Sequence, residues 1–181
     1  MAKLTELEGV VLGLVHRLQP CTAYTVRMAL SRSPSTYWSG SSGSVYPALK
    51  RLENTRLLES TADASDGRSR RLIVLTRSGR AALETWVMGA SDPEVVSCVF
   101  DPVRARAFFL EILRPRDRAR FASECLSALE KYLEVTQAEL AATEDERPLD
   151  YLANLGAVRD ARARVDWMGE VVDKLESDLS T

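Results

Sequence analysis

The stretch from Ser42 to Glu53 gathers side chains that hold anions. Ser42, Ser44 and Tyr46 bring hydroxyls, and Lys50 and Arg51 bring fixed positive charge. Small residues ahead of a helix leave its first backbone N–H groups exposed, which suits a phosphate. Hydroxyls near the start of a helix lying in the major groove of DNA can reach a phosphate or a base edge. A second group, Asp66-Gly67-Arg68-Ser69-Arg70-Arg71, sets three arginines beside a glycine turn. An exposed basic tip of that kind enters a minor groove or grips phosphates. Each group also has a plainer reading: a serine-rich loop before an ordinary core helix, and a solvated charged turn.

Other chemistry is thin. His16 is the single histidine. There is no G-x-S-x-G, no phosphate-binding loop, and no carboxylate pair or Cys/His set at catalytic spacing, so no enzyme and no cofactor are expected. Cys21, Cys98 and Cys125 are odd in number and far apart. That spacing suits neither zinc nor a disulfide framework. Three small, buried or half-buried thiols are expected, with a redox-sensing cysteine as the alternative. Charge interrupts every apolar run, so no membrane span is expected. The start, Met1-Ala2-Lys3-Leu4-Thr5-Glu6, lacks the apolar core of a signal peptide, and a cytoplasmic location is expected.

The elements that must position these groups follow from periodicity. Leu4, Leu7, Val10, Val11, Leu14, Val15 and Leu18 recur at helical spacing, and Pro20 ends that helix. A second helix is predicted from Thr22 to Leu30, and a Ser/Gly-rich loop over 37–44. Val45, Ala48, Leu49 and Leu52 then define a third helix to about Asn54 or Arg56, with Pro47 in its first turn. The period changes next. Leu57 to Thr61 reads as a strand, Asp63 to Arg68 as a turn, and Arg70 to Leu75 as a second strand. Thr76 caps a helix through about Met88. Three helices, a hairpin and a helix make a winged helix-turn-helix, assigned to residues 1–89.

The back half, residues 90–181, reads as helical. Helices are predicted over Pro102–Leu113, Arg116–Thr143 and Leu149–Leu179, the last with coiled-coil-like spacing from Val158 onward. The expected fold class is therefore mainly α: a winged helix-turn-helix with a two-stranded β wing, then a C-terminal antiparallel helical domain. Charge divides the same way. Residues 1–88 hold 12 Lys and Arg against 7 Asp and Glu, a net +5, and residues 89–181 hold 12 against 19, a net −7. A chain charged like this suits contact with a polyanion at its front end.

The run from Leu4 to about Trp86 resembles the PadR family of winged-helix regulators. The likeness rests on Val11-Leu12-Gly13-Leu14, on Ser44-Val45-Tyr46-Pro47-Ala48-Leu49-Lys50-Arg51-Leu52-Glu53, on Gly67-Arg68 with Arg71, and on Leu75-Thr76-Arg77-Ser78-Gly79-Arg80. The resemblance implies a homodimer whose recognition helices enter successive major grooves of a near-palindromic operator in double-stranded DNA. It implies a wing on the adjacent minor groove, and dimerisation through the C-terminal helices. The recognition role then falls on Ser42, Ser44, Tyr46, Lys50 and Arg51, and the wing role on Arg68, Arg70 and Arg71. Family members often carry His-Gly-Tyr before the second helix. This chain has Thr22-Ala23-Tyr24, which keeps Tyr24 as a phosphate contact and changes the pair before it.

Many members repress detoxification or efflux genes and are released by a small, often aromatic, effector. Trp38, Trp86, Trp167, Phe108, Phe109 and Tyr132 could line a pocket for one, or could be core and interface residues. The expected function is a DNA-binding repressor. The alternatives are an activator without an effector, and a winged-helix module that binds protein.

Overall fold

Thr5 starts the first helix, α1 (Glu6–Leu18). Its hydroxyl accepts from the Glu8 N–H, and the Glu8 carboxylate accepts from the Thr5 N–H, a reciprocal cap. The structure is a computed structural model describing residues 3–33, 35–63, 70–97, 101–143 and 148–179. Its contacts divide the chain into two units, Met1–Val99 and Phe100–Thr181.

In the first unit, α1 is enclosed by α2 (Ala23–Ser31), α4 (Val45–Asn54), β2 (Arg70–Leu75) and α5 (Arg77–Met88). Neighbours on several sides change its buried face. Leu12, outside the expected stripe, is fully buried, whereas Leu18 within it is exposed. Val11, Leu12, Val15, Val26, Val45, Leu49, Leu52, Leu58 and Ile73 form the core. Each such side chain contributes roughly 1.5–3 kcal/mol on burial.

The segment expected to be a loop over 37–44 is helical instead. Helix α3 (Thr36–Gly40) runs into a 3-10 turn, Ser41–Ser44, that leads directly into α4. The serines that suggested a loop bond to local carbonyls: Ser39 Oγ donates to Ser35 O at 3.0 Å, and Ser41 Oγ to Tyr37 O at 2.6 Å. Trp38 packs on the core and anchors the segment.

Strands β1 (Leu58–Asp63) and β2 pair antiparallel, Leu58 opposite Leu75 and Asp63 opposite Arg70. The first strand starts one residue later than expected and runs two residues further. Cys21 adds a single bridge to Ile73, with N···O distances of 3.2 and 2.7 Å, and its buried thiol is pushed up by desolvation. Of the turn expected over Asp63 to Arg68, Asp63 instead closes β1 opposite Arg70, and the rest lies outside the described residues.

A knot of backbone contacts sets α5 beside the hairpin. Thr76 Oγ1 accepts from the Gly79 N–H at 2.9 Å and donates to the Arg56 carbonyl at 2.9 Å, which also accepts from Ser78 Oγ. Arg56 itself takes a left-handed φ of 58°. The Leu57 carbonyl passes so close to Gly79 that a Cβ there would collide with it. After α5 a 3-10 turn, Gly89–Ser91, leads to the short α6 (Pro93–Val96), whose first turn Asp92 caps at Glu94 N. The domain boundary expected at 89/90 thus lies ten residues short of the division between the two units.

The second unit holds α7 (Pro102–Ala107), α8 (Pro115–Thr143) and α9 (Pro148–Leu179). The single helix expected over Pro102–Leu113 ends at Ala107 and gives way to a 3-10 turn, Leu110–Ile112. The Arg118 guanidinium takes the carbonyls of Leu110, Glu111 and Leu113 at 2.9–3.0 Å and holds this turn. Helices α8 and α9 pack as an antiparallel hairpin. Ala122, Leu129 and Thr136 are buried at seven-residue intervals on α8, and so are Ala161 and Met168 on α9, the repeat of a coiled-coil seam. Asp101 caps α7 through Val103 N and Arg104 N and grips Arg164 of α9 with both oxygens at 2.9 Å. Burial pushes this carboxyl up. The Arg104 N–H, the Arg164 guanidinium and the Val103 N–H together outweigh that and hold it low.

Candidate nucleic-acid interface

Helix α4 divides cleanly into two faces. Val45, Ala48, Leu49 and Leu52 point into the core, and Ser44, Tyr46, Lys50 and Arg51 are exposed. This geometry follows from the sequence: apolar residues at three- and four-residue spacing bury one stripe, and the polar ones are left on the other side. Ser44 makes no side-chain cap bond, and its hydroxyl faces solvent at the helix start. Because the 3-10 turn runs straight into α4, that start is not the bare N-terminus expected from the serine-rich run. Ser42 lies in the turn, and its side chain is outside the described part.

Arg51 is tied inward. Its Nε lies 2.9 Å from Glu8 Oε1, so the acid that caps α1 also holds the middle of α4. Glu8 is 13% exposed and Arg51 54% exposed, so the guanidinium both braces α1 and reaches solvent. Burial pushes the Glu8 carboxyl up. Hydrogen bonds from the Thr5 N–H, the Arg51 guanidinium and the Thr5 hydroxyl outweigh that and hold it below its ordinary value.

The wing arginines differ in what they touch. Arg71 reaches Glu53 at the end of α4, with Nη2 3.3 Å from Oε1, and also bonds Ser60 of β1. Arg70 is exposed at the open end of the ladder, opposite Asp63. Arg68 lies outside the described residues. Tyr24 is exposed in the first turn of α2, and the Arg27 guanidinium sits over its ring at 5.3 Å from the centroid.

Sequence reasoning passed over Arg27 and Tyr37. Arg27 is three residues beyond Tyr24, a spacing that places both on one face of a helix. Tyr37 is exposed on α3, edge-on to Trp38 with centroids 4.8 Å apart, and was hidden by reading this segment as a loop. Together the exposed groups offer fixed positive charge, hydroxyls and aromatic faces on a rigid helical frame, the chemistry that grips phosphates and reads base edges.

A helix-turn-helix followed by a two-stranded wing defines a winged-helix protein. Residues 11–85 match the model of the transcriptional regulator PadR-like family. Among curated proteins, the chain is 22% identical over 176 residues to a probable transcriptional regulator of Mycobacterium tuberculosis, Rv1176c, covering 87% of this chain and 92% of that one. Among solved structures, Bacillus subtilis PadR in complex with operator DNA superposes with a TM-score of 0.77 at 19% identity, over 94% of this chain and 99% of that one. The same protein in complex with p-coumaric acid gives a TM-score of 0.71 at 18% identity, over 94% and 95%. The Vibrio cholerae virulence activator AphA gives 0.70 at 20% identity, over 95% and 99%. At these identities the likeness is one of fold. The chain therefore shares the winged-helix fold of PadR-like transcriptional regulators, with a helical C-terminal region.

Proposed function

We propose that the chain regulates transcription by binding an operator in double-stranded DNA as a homodimer, with α4 in the major groove and the wing on the adjacent minor groove. One observation carries this reading: Ser44, Tyr46 and Lys50 are exposed on a helix whose opposite face is locked into the core. Such a helix presents its polar groups at no cost to the fold. Arg51, Arg70, Arg71 and Tyr24, with Ser42 and Arg68, complete the contact set. Residues 1–89 carry DNA binding, and residues 90–181 carry dimerisation. The α8–α9 hairpin supports the second role, since Val135, Leu149 and Leu152 are exposed on it and a second copy would cover them. A cytoplasmic place of action follows from the same reading. Among the described residues, no helix is long and apolar enough to cross a membrane.

Repression relieved by a small aromatic effector is the first reading of the regulatory sign, supported by the fold shared with a PadR that was solved both with operator DNA and with p-coumaric acid. Activation is the second, supported by the fold shared with AphA, a virulence activator. A gel-shift on the promoter next to its own gene, run at about 50 and about 200 mM salt, tests DNA binding, and affinity should fall steeply between the two. Absent or salt-insensitive binding would favour a module that binds protein. Sedimentation of the full chain tests the dimer.

A further inference from the structure

The first unit carries a groove of about 640 Å³ between the start of α1 and the end of α5. Its walls are apolar, from Leu4, Leu57, Ala82, Val87 and Val95, and Trp86 lies among them. That indole packs flat on α1, where a Cβ on Gly9 would overlap the ring. The volume fits one small organic molecule. Polar groups line the rim: Lys3, Glu6, Thr85 and Asp92. The lysine charge is already taken, since its Nζ lies 3.3 Å from Glu94 and 3.7 Å from Asp92. The balance at the rim is therefore negative.

We propose that this groove binds a small planar aromatic cation, and that occupancy alters DNA binding. The apolar walls with Trp86 suit an aromatic body, and the acidic rim favours a positive charge while disfavouring a carboxylate on the same ring system. The second clause rests on the DNA-binding reading above. It has a structural route, because Leu57 lines the groove and joins α4 to β1. Its carbonyl accepts the Thr76 N–H at 3.2 Å and is the one pressed against Gly79. A ligand leaning on Leu57 acts on the segment that sets the recognition helix against the wing.

Three naphthalenes of equal size test the site: 1-naphthylmethylamine, 1-naphthylmethanol and naphthalene-1-carboxylate. Each is titrated by calorimetry into the full chain without DNA. One site per chain is expected, with the cation at least about threefold tighter than the alcohol and the carboxylate weakest. Glu6→Gln should remove the charge preference and keep the alcohol bound. Ala90→Trp, or Val95→Trp if that variant does not fold, should block all three. No saturable cation binding, a carboxylate that binds as well, or binding that survives the tryptophan would overturn the site. Cation binding that strengthens as the chain is diluted toward monomers would assign the groove to a second copy instead. For the coupling, the cation should shift affinity in the gel-shift at least about threefold, and binding without any shift would overturn it. A chain that binds the cation but no DNA would sink the DNA reading alone and leave the site standing.

Discussion

Arg71 of β2 and Glu53 of α4 join the wing to that helix, and Ser60 of β1 completes the clamp. One guanidinium thus bridges three elements, β1, β2 and α4. It is also 68% exposed, which leaves it open to a phosphate.

The two roles separate by mutation. Arg71→Ala should weaken binding to every DNA sequence and reduce the salt slope by about 1, the mark of one lost phosphate contact. Glu53→Gln removes the clamp and keeps the cation, so its salt slope should be unchanged. Gel-shifts across a salt series read both. An unaltered slope in Arg71→Ala would reduce the residue to a brace.

Tyr46→Ala and Lys50→Ala test the exposed face of α4. Neither side chain supports the core, so the melting temperature should not move. A base contact is worth about 1–3 kcal/mol, so loss of one should weaken the operator complex about tenfold or more. A lost phosphate contact at Lys50 should weaken all DNA alike. Competition between operator and unrelated DNA tells them apart.

Two glycines sit at close approaches where no methyl group fits, Gly79 against backbone and Gly9 against a side chain. Gly79→Ala must push the Leu57 carbonyl away, and backbone yields poorly, so a loss of about 1–3 kcal/mol or more is expected by urea unfolding. Gly9→Ala meets the movable Trp86 ring instead. It should cost less stability and change the indole fluorescence. Equal costs at both sites would contradict this assignment.

Acid should loosen the contact between α1 and α4. The Glu8 carboxyl is held below its ordinary value of 4.5 in the folded chain. A lowered folded pKa means that stability is fully present above the unfolded value and is lost as pH falls through the folded one. Glu8→Gln should therefore destabilise the protein at neutral pH and show a flatter decline below about pH 4.5. Thermal melts of both forms between neutral and acid pH provide the check, and parallel curves would remove Glu8 from the account. Asp101, lowered likewise from 3.8, should behave the same way in the second unit, with Asp101→Asn as its control.

Local patterns were readable in the sequence, and distant partnerships were not. The α4 stripe of Val45, Ala48, Leu49 and Leu52 and the two wing strands stand out because period decides them within a few residues. The helical 36–44 segment was missed because its serines bond back to their own carbonyls, and composition cannot distinguish that from a loop. The end of α7 at Ala107 carries no proline or glycine to mark it, and the Arg118 bonds that hold the following turn come from the next helix. Arg51 was read as a surface cation because its partner Glu8 is 43 residues away. Trp86 stood out as an aromatic, yet only the folded chain sets it on Gly9 and in a groove whose rim draws on both ends of the first unit.

The crossing of Leu57 over Gly79 has a genetic consequence. Every single-base change that replaces residue 79 adds a side chain, and each one meets the same carbonyl. Any replacement at codon 79 therefore costs stability, whatever the new residue. The exposed face of α4 carries no such burden: Tyr46 and Lys50 point away from the core and can be exchanged without disturbing it. A lineage that keeps this domain can vary the exposed face of α4 while the crossing behind it stays fixed.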